Sequence, residues 1–328
     1  MVVSRLTLAI QDGDVVLPES GRIAVFYPDA ETDLSSLPKD RAHIIQSFYP
    51  DHAAFEQQGY DCAVAPEGVY AASIVFLPRY KALARSLIWQ ASTMSDVVLV
   101  DGLKTDGAES LLRECRKRAD VQGWFSKAHG KLFWMAGGAD FEDWRDDALH
   151  EIEEGFVTRA GVFSADGIDP ASRLLADNLP AKLGRQVADL GAGWGYLSKA
   201  ILKNEVVENL WAVEANFDAL ECARLNVTDE RANFQWADAC AWEPRARMDS
   251  VVMNPPFHTS RTSDPDIGRA FIAAAARMLT PSGQLWMVAN RHLPYEVALD
   301  QHFAKFEEVA GDSRFKVLRA QRPTRKRR

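Results

Sequence analysis

The chain has 328 residues and a formal net charge of −8, with 47% hydrophobic and 26% charged residues. Its length exceeds one typical domain and suits two, while an apolar run such as FIAAAARML at 271–279 is far too short to span a membrane. The acidic sum argues against a general nucleic-acid coat, but the charge is uneven: residues 1–155 carry 15 Lys/Arg against 25 Asp/Glu, and residues 156–328 carry 23 against 21 and end in the cationic QRPTRKRR.

The N-terminal MVVSRLTLAIQDGDVV has no basic flank, long apolar core or cleavage site, so no signal peptide is expected, and four cysteines without a C-x-x-C suit a protein expected in the cytoplasm. Buried strands are expected at RIAVFYP (22–28), DCAVAP (61–66), SIVFLP (73–78) and DVVLVDG (96–102). Between the last two, RYKALARSLIWQASTM has apolar residues at helical spacing, and AESLLRECRKRA follows as an amphipathic helix. Strands alternating with helices imply a parallel α/β sheet. The stretch GGADFEDWRDDALHEIEEG (137–155) is acidic and reads as a connector or solvated helix, placing a domain change near 140–160.

The second half repeats the pattern. Strands are expected at QVADL (186–190), LWAVE (210–214), NFQWAD (233–238), DSVVMN (249–254) and QLWMVAN (284–290), with strand character again in FEEVA (306–310) and FKVLRA (315–320). The helices between them include GYLSKAILKN, FDALECARLNV and IGRAFIAAAARML, the last ended by the turn residues TPSG at 280–283. Segments 73–102 and 250–290 share one plan of strand, proline, helix and strand, which implies duplication of one α/β unit. The first copy has PDAETDLSSLP where a glycine loop belongs, so as a copy it has lost the cofactor-binding apparatus.

Four segments of the second half carry chemistry. In VADLGAGWGYLSKAI a strand ends in Asp189 and is followed by Gly191, Gly193 and Gly195 before a helix. Glycines there let the backbone turn tightly and approach a ligand. The spacing is not the G-x-G-x-x-G of dinucleotide folds. The loop suits adenosine bearing an amino-acid tail, S-adenosylmethionine, or else is an ordinary Gly-rich turn. Glu214, ending the next strand, is placed to accept from both ribose hydroxyls. Asp238 ends the third, either to accept from an adenine amine or as an Asx-type turn residue.

The fourth segment is VVMNPPFHTS. Pro255 and Pro256 fix backbone torsions and remove two N–H donors. What remains is a rigid turn with two acceptors, the Asn254 side-chain oxygen and the Pro255 carbonyl, which match the two hydrogens of a planar amine, and Phe257 can stack on the ring that carries it. Hydrogen bonds that favour a tetrahedral nitrogen restore its nucleophilicity, so positioning and electrostatics supply the catalysis without a strong base. His258 is either a target contact or a turn residue facing water. Arg261, with Arg269 and Arg291, is a candidate phosphate ligand. Cys62, Cys115, Cys222 and Cys240 form no C-x-x-C and are read as reduced thiols, with no structural zinc and no other metal required.

These motifs, in this order, resemble the class I S-adenosylmethionine-dependent methyltransferases, and the Asn-Pro-Pro-Phe resembles the branch acting on exocyclic or amide nitrogens. GVFSADGIDPASRLLADNLP (161–180), MNPPFHTS and VANRHLPYE (288–296) are similar to the bacterial ribosomal-RNA guanine-N2 methyltransferases of the C type, which act on the small subunit, and to their large-subunit relative. VVLVDGLKTDGAESLL and FSKAHGKLFWM resemble that family's first domain. The resemblance implies two tandem Rossmann-like methyltransferase domains: a degenerate one over 1–150 for RNA binding and structural support, and a catalytic one over 151–328. It implies S-adenosylmethionine as cofactor and the N2 amine of a guanine in ribosomal RNA, or in the assembled ribosomal subunit, as target of a monomer that needs no membrane. It assigns Asp189, Gly191, Gly193 and Gly195 to the methionine part of the cofactor, Glu214 to ribose, Asp238 to adenine, and Asn254, Pro255 and Phe257 to the target guanine. Phe163 and Asp166 fall in the segment that helps close the cofactor site. Trp194 departs from the smaller residues common at its position, and its ring is expected to point away from the cofactor. The rival readings are adenine N6 or a protein glutamine amide as acceptor, and a non-catalytic RNA-binding ribosome-assembly factor.

Overall fold

The computed structural model describes residues 3–256 and 265–324. The chain divides into two compact units, Met1–Ala148 and Leu149–Arg328.

In the first unit the elements run α1 (Arg5–Gln11), β1 (Ile23–Phe26), β2 (Ala42–Ile45), α2 (Tyr49–Gln57), β3 (Asp61–Ala63), β4 (Tyr70–Phe76), α3 (Lys81–Met94), β5 (Ser95–Leu103), α4 (Ala108–Cys115), β6 (Val121–Lys127) and β7 (Gly130–Ala136). The seven strands form one sheet in the order β3-β2-β1-β4-β5-β7-β6. β1, β2 and β4 are almost continuous apolar runs because helices cover both faces of a parallel sheet. Amphipathic α3 and α4 put Leu87, Ile88, Leu111 and Leu112 against one face, and α1 and α2 add Leu6 and Phe55 to the core on the other. The sheet is not wholly parallel: β7 runs antiparallel to both β5 and β6. The four-residue β2 and the hairpin β6–β7 are too short or too mixed in polarity for periodicity to reveal.

The second unit runs β8 (His150–Glu151), β9 (Val157–Thr158), α5 (Pro170–Asp177), β10 (Gln186–Leu190), α6 (Tyr196–Leu202), β11 (Asn209–Glu214), α7 (Phe217–Asn226), β12 (Ala232–Trp236), β13 (Met248–Met253), α8 (Pro265–Met278), β14 (Leu279–Asn290), α9 (Glu296–His302), β15 (Phe303–Gly311) and β16 (Phe315–Pro323). Its main sheet has the order β12-β11-β10-β13-β14-β16-β15, the order of the first sheet repeated strand for strand, again with an antiparallel hairpin at one edge. Two sheets with one shared topology bear out the two Rossmann-like units expected from the sequence.

Two local expectations are corrected. The acidic stretch 137–155 is not simply solvated, because Phe141 and Trp144 are buried in the first unit with ring centroids 4.7 Å apart. Arg85 and Arg118 stack on the Trp144 ring, so the charges around it hold it in place. TPSG does not separate helix from strand either. β14 begins at Leu279 directly after α8, and Thr280–Gly283 form an irregularity in its pairing, since Leu279 lies opposite Met248 while Gln284 lies opposite Ser250.

The repeated topology aligns the units residue by residue. Phe26 pairs with Ile45 and Val75 as Leu190 pairs with Val213 and Met253. One residue earlier or later, Val25 corresponds to Asp189, Gln46 to Glu214 and Phe76 to Asn254.

Candidate active site

The carboxyl ends of β10 and β13 meet the start of α5 around one cleft, whose lining includes Phe163, Asp169, Ser172, the residues from Gly191 to Trp194, and Asn254. Open parallel sheets bind ligands at this edge.

β10 delivers Asp189 into the interior, where it is fully buried. Its Oδ2 accepts the Ser198 hydroxyl at 2.7 Å, and its Oδ1 has no hydrogen-bond partner among the described residues. Burial, with Glu214 as a smaller contribution, pushes its carboxyl up to about 7. The loop after it is pinned to the neighbouring strand, since the Gly191 and Ala192 N–H groups both donate to the Val213 carbonyl, at 2.9 and 3.1 Å. Gly193, at φ +56, has open space where a Cβ would stand. Gly195, at φ +93, starts α6 against α7, and a Cβ there would lie 3.0 Å from Val227 and 3.2 Å from Ala223.

Glu214 ties that loop to the next helix. Its Oε2 accepts the Gly193 N–H and its Oε1 the Asn216 N–H, each at 2.8 Å. Burial raises its carboxyl above the ordinary range despite those bonds. The two oxygens together offer about four lone-pair sites, so an acceptor position remains for a further donor. Asp238 follows β12, whose Trp236 is paired with Glu214, and its Oδ1 accepts the Cys240 N–H at 2.8 Å in an Asx-type turn.

Asn254 leaves β13 half-buried, followed by a buried Pro255 and an exposed Pro256. Its Nδ2 donates to Asp169 Oδ2 and Ser172 Oγ, both at 2.9 Å. Asp169 is the N-cap of α5 and accepts the Ser172 N–H at 2.8 Å, with Pro170 in the first helical turn. Asp-Pro with a Ser two residues further on was the legible sign of a helix start here.

Trp194 is buried among Phe156, Val162, Ile168, Ala219 and Cys222, and its Nε1–H donates to the Phe163 carbonyl at 2.9 Å. The indole therefore serves as an anchor for the segment that carries Phe163. The Phe163 side chain is 57% exposed at the cleft. Asp166 is exposed on the 164–167 turn and is not part of the cleft lining.

Arg291, expected as a phosphate ligand, is engaged within the fold. Its guanidinium holds Glu308 by two nitrogens, at 2.9 and 3.2 Å, and donates to the Asp312 and Phe315 carbonyls. It braces the β15–β16 hairpin. Arg269 pairs with Asp266 on α8. Phe257, His258 and Arg261 lie outside the described residues. All four cysteines are free thiols, and burial pushes Cys62 and Cys115 up to about 12 and Cys240 up to about 11. Among the described residues no helix is long and apolar enough to cross a membrane, and no His/Cys/Asp/Glu cluster suits a metal ion.

Sequence reading missed Ser198, Asp169 and Ser172. Their polar side chains belong to helices whose partners lie 9 to 85 residues away along the chain, and helical periodicity carries no sign of such partners.

The family profile described as "Methyltransferase small domain" matches residues 153–319. Ribosomal RNA small subunit methyltransferase C of Shewanella halifaxensis is 30% identical over 258 residues, covering 74% of this chain and 75% of that protein. The protein of the same description from Idiomarina loihiensis is 27% identical over 92% of this chain and 94% of its own length. Ribosomal RNA large subunit methyltransferase G of Streptomyces coelicolor is 37% identical, but the match covers 50% of this chain and 45% of that protein; the chain spans about half the length of such relatives. The solved 16S rRNA N2 methyltransferase of T. thermophilus, in complex with AdoMet and guanosine, superposes with a TM-score of 0.77 at 23% identity, covering 94% of this chain and 90% of that one. That likeness carries the tandem fold. A profile match over half the chain, with kinship running through both units, places this chain in the methyltransferase small domain family, among the ribosomal RNA small subunit methyltransferase C proteins.

Proposed function

We propose that the chain transfers a methyl group from S-adenosylmethionine to the exocyclic N2 amine of a guanine in ribosomal RNA of the small subunit. The observation that carries this reading is Asn254. Both of its amide hydrogens are engaged by Asp169 and Ser172, so its oxygen is left as an acceptor at a cleft that Gly191, Ala192 and Gly193 also line. An acceptor fixed beside a nucleoside loop suits an amine.

The residues present fit the cofactor. Among the described residues Asp189 Oδ1 is a buried acceptor without a donor, and one buried and one half-buried carboxyl, both held above their ordinary range, are relieved by a cationic ligand. Gly193 leaves room above its Cα for close approach. S-adenosylmethionine supplies an electrophilic methyl group on a sulfonium. Gly191, Gly193 and Gly195 shape the loop, Asp189 lies at the end of the strand before it, Glu214 braces it through the Gly193 N–H, and Asp238 follows the neighbouring strand. Asn254 Oδ1 and the Pro255 carbonyl accept from the two amine hydrogens and draw the nitrogen lone pair out of conjugation. The methylated nitrogen then loses one proton to water, so no strong base is needed.

The first unit, with Val25 and Gln46 where the second has Asp189 and Glu214, supports RNA binding and the second unit's structure. The protein acts as a cytoplasmic monomer without a metal. Turnover of Asn254→Ala on ribosomal RNA and on assembled small subunits tests the reading. Cofactor affinity persists and methyl transfer collapses; near-wild-type turnover would refute the mechanism. Label recovered in protein, or in N6-methyladenine, would redirect the acceptor.

A further inference from the structure

We infer that Asp169 and Ser172 are positioning residues whose joint hold on Asn254 fixes which end of its amide faces the acceptor, and so makes the site selective for a hydrogen-bond donor. The inference rests on the proposed role of Asn254 and adds two residues that do not themselves touch the amine.

An asparagine side chain has a carbonyl at one end and an NH2 at the other, and a half-turn about its last torsion exchanges them. With the oxygen toward the cleft the site accepts, and an amine fits. With the NH2 toward the cleft the site donates, and a keto oxygen fits instead. A guanine edge presents both kinds of group, so the choice decides what is held.

The structure settles that orientation by chemistry. Asp169 Oδ2 lies 2.9 Å from Asn254 Nδ2, and an ionised carboxylate can only accept. The reversed amide would bring two acceptor oxygens together. Ser172 Oγ takes the second amide hydrogen, also at 2.9 Å, so both N–H donors are used and neither points into the cleft. Hydrogen bonds from the amide nitrogen to a negative group also shift density toward Oδ1, which makes it a stronger acceptor.

The two positioning groups are themselves rigid. Asp169 caps α5 by accepting the Ser172 N–H at 2.8 Å, and the adjacent Pro170 has a fixed φ. Ser172 is buried in the first turn of the same helix. The helix start thus acts as a template that Asn254 docks into on leaving β13. A purely structural cap would satisfy α5 and stop there, whereas Asp169 Oδ2 serves the helix and Asn254 with one oxygen.

The test uses the full chain and ribosomal RNA. Asp169→Ser keeps a good N-cap but is too short to reach Asn254; Ser172→Ala removes the second acceptor; Asp169→Asn keeps an acceptor oxygen while removing the charge. Asp169→Ser and Ser172→Ala are expected to lower kcat on the order of ten- to a hundred-fold, with KM and S-adenosylmethionine affinity changed by no more than about two-fold. Asp169→Asn is expected to restore most of the loss. In an Asn254→Ala background, neither Asp169→Ser nor Ser172→Ala lowers kcat further, because they act only through Asn254. Losses that multiply in that background overturn the inference while leaving the role of Asn254 intact. Wild-type turnover of Asn254→Ala alone overturns that role and the inference with it. Unfolding midpoints of each variant separate either result from a misfolded chain.

Discussion

Gln46 occupies in the first sheet the place that Glu214 occupies in the second. Each follows the strand residue paired with the end of the central strand, and each accepts, through one side-chain oxygen, the N–H two residues ahead, from Phe48 at 2.9 Å and Asn216 at 2.8 Å. The other ends differ. Glu214 accepts the Gly193 N–H, whereas the Gln46 amide donates to the Pro28 carbonyl at 2.8 Å. The first unit thus repeats the brace but not the acid, and its loop turns a carbonyl where the second turns an N–H.

One S-adenosylmethionine site per chain is expected from that difference. Calorimetry is expected to give a stoichiometry of about one, and Glu214→Ala to raise Kd at least ten-fold, about 1.4 kcal/mol. Gln46→Glu is expected to create no second site, because Pro28 still presents a carbonyl.

Cofactor binding should depend on pH through Asp189. Its carboxyl is pushed up to about 7, so below that value the anion must be regained to hold a cationic ligand. Kd is expected to improve about ten-fold per pH unit up to 7 and to level off above. Stability of the free protein runs the other way. A raised carboxyl stabilises the fold fully below the ordinary carboxylate range, and that contribution is lost as pH rises through about 7. Asp189→Asn, scanned by calorimetry and thermal unfolding, should flatten both profiles.

Gly193 and Gly195 should fail differently as alanine. At Gly195 a Cβ meets Val227 and Ala223 at a φ of +93, so urea unfolding should show a loss on the order of 2–4 kcal/mol. At Gly193 the φ is +56 but the space is open. A loss of about 1–2 kcal/mol is expected there, with cofactor affinity falling more steeply as the methyl enters the cleft.

Trp194 joins folding to the cleft. Trp194→Phe keeps most of the buried ring and removes the donor to Phe163, costing about 1 kcal/mol and weakening cofactor affinity through a loosened 156–168 segment. Trp194→Ala should cost about 3–5 kcal/mol. Urea unfolding and calorimetry read the two effects separately.

Arg291→Ala should lower the unfolding midpoint and leave the salt dependence of RNA binding unchanged, since its guanidinium is engaged by Glu308 and two carbonyls. A salt slope reduced by about one would instead mark a phosphate contact.

Much of this was legible in the sequence because parallel strands covered on both faces are long apolar runs, and because glycines and strand-end acids punctuate them. QVADL, LWAVE and DSVVMN fall within a residue or two of β10, β11 and β13. What escaped were features set by distant partners. Phe141 and Trp144 sit in an acidic stretch, and their burial depends on α3 and the arginines that stack on Trp144. Arg291 looked like other surface arginines until Glu308, 17 residues on, took its guanidinium. Ser198 shows its purpose only against Asp189. Periodicity reports which face of an element is apolar; it is silent on which polar atoms meet.

The place of β16 in the second sheet bears on how the protein is made. β14 is long, with an apolar second half from Leu285 to Ala289, and its outer neighbour is the segment 315–323. Until those residues leave the ribosomal tunnel, β14 presents a bare row of N–H and C=O groups to solvent, the kind of edge that recruits other chains. Nascent chains stalled before residue 315 are therefore the ones to need a chaperone, although their Gly loop and Asn254 have already been synthesised.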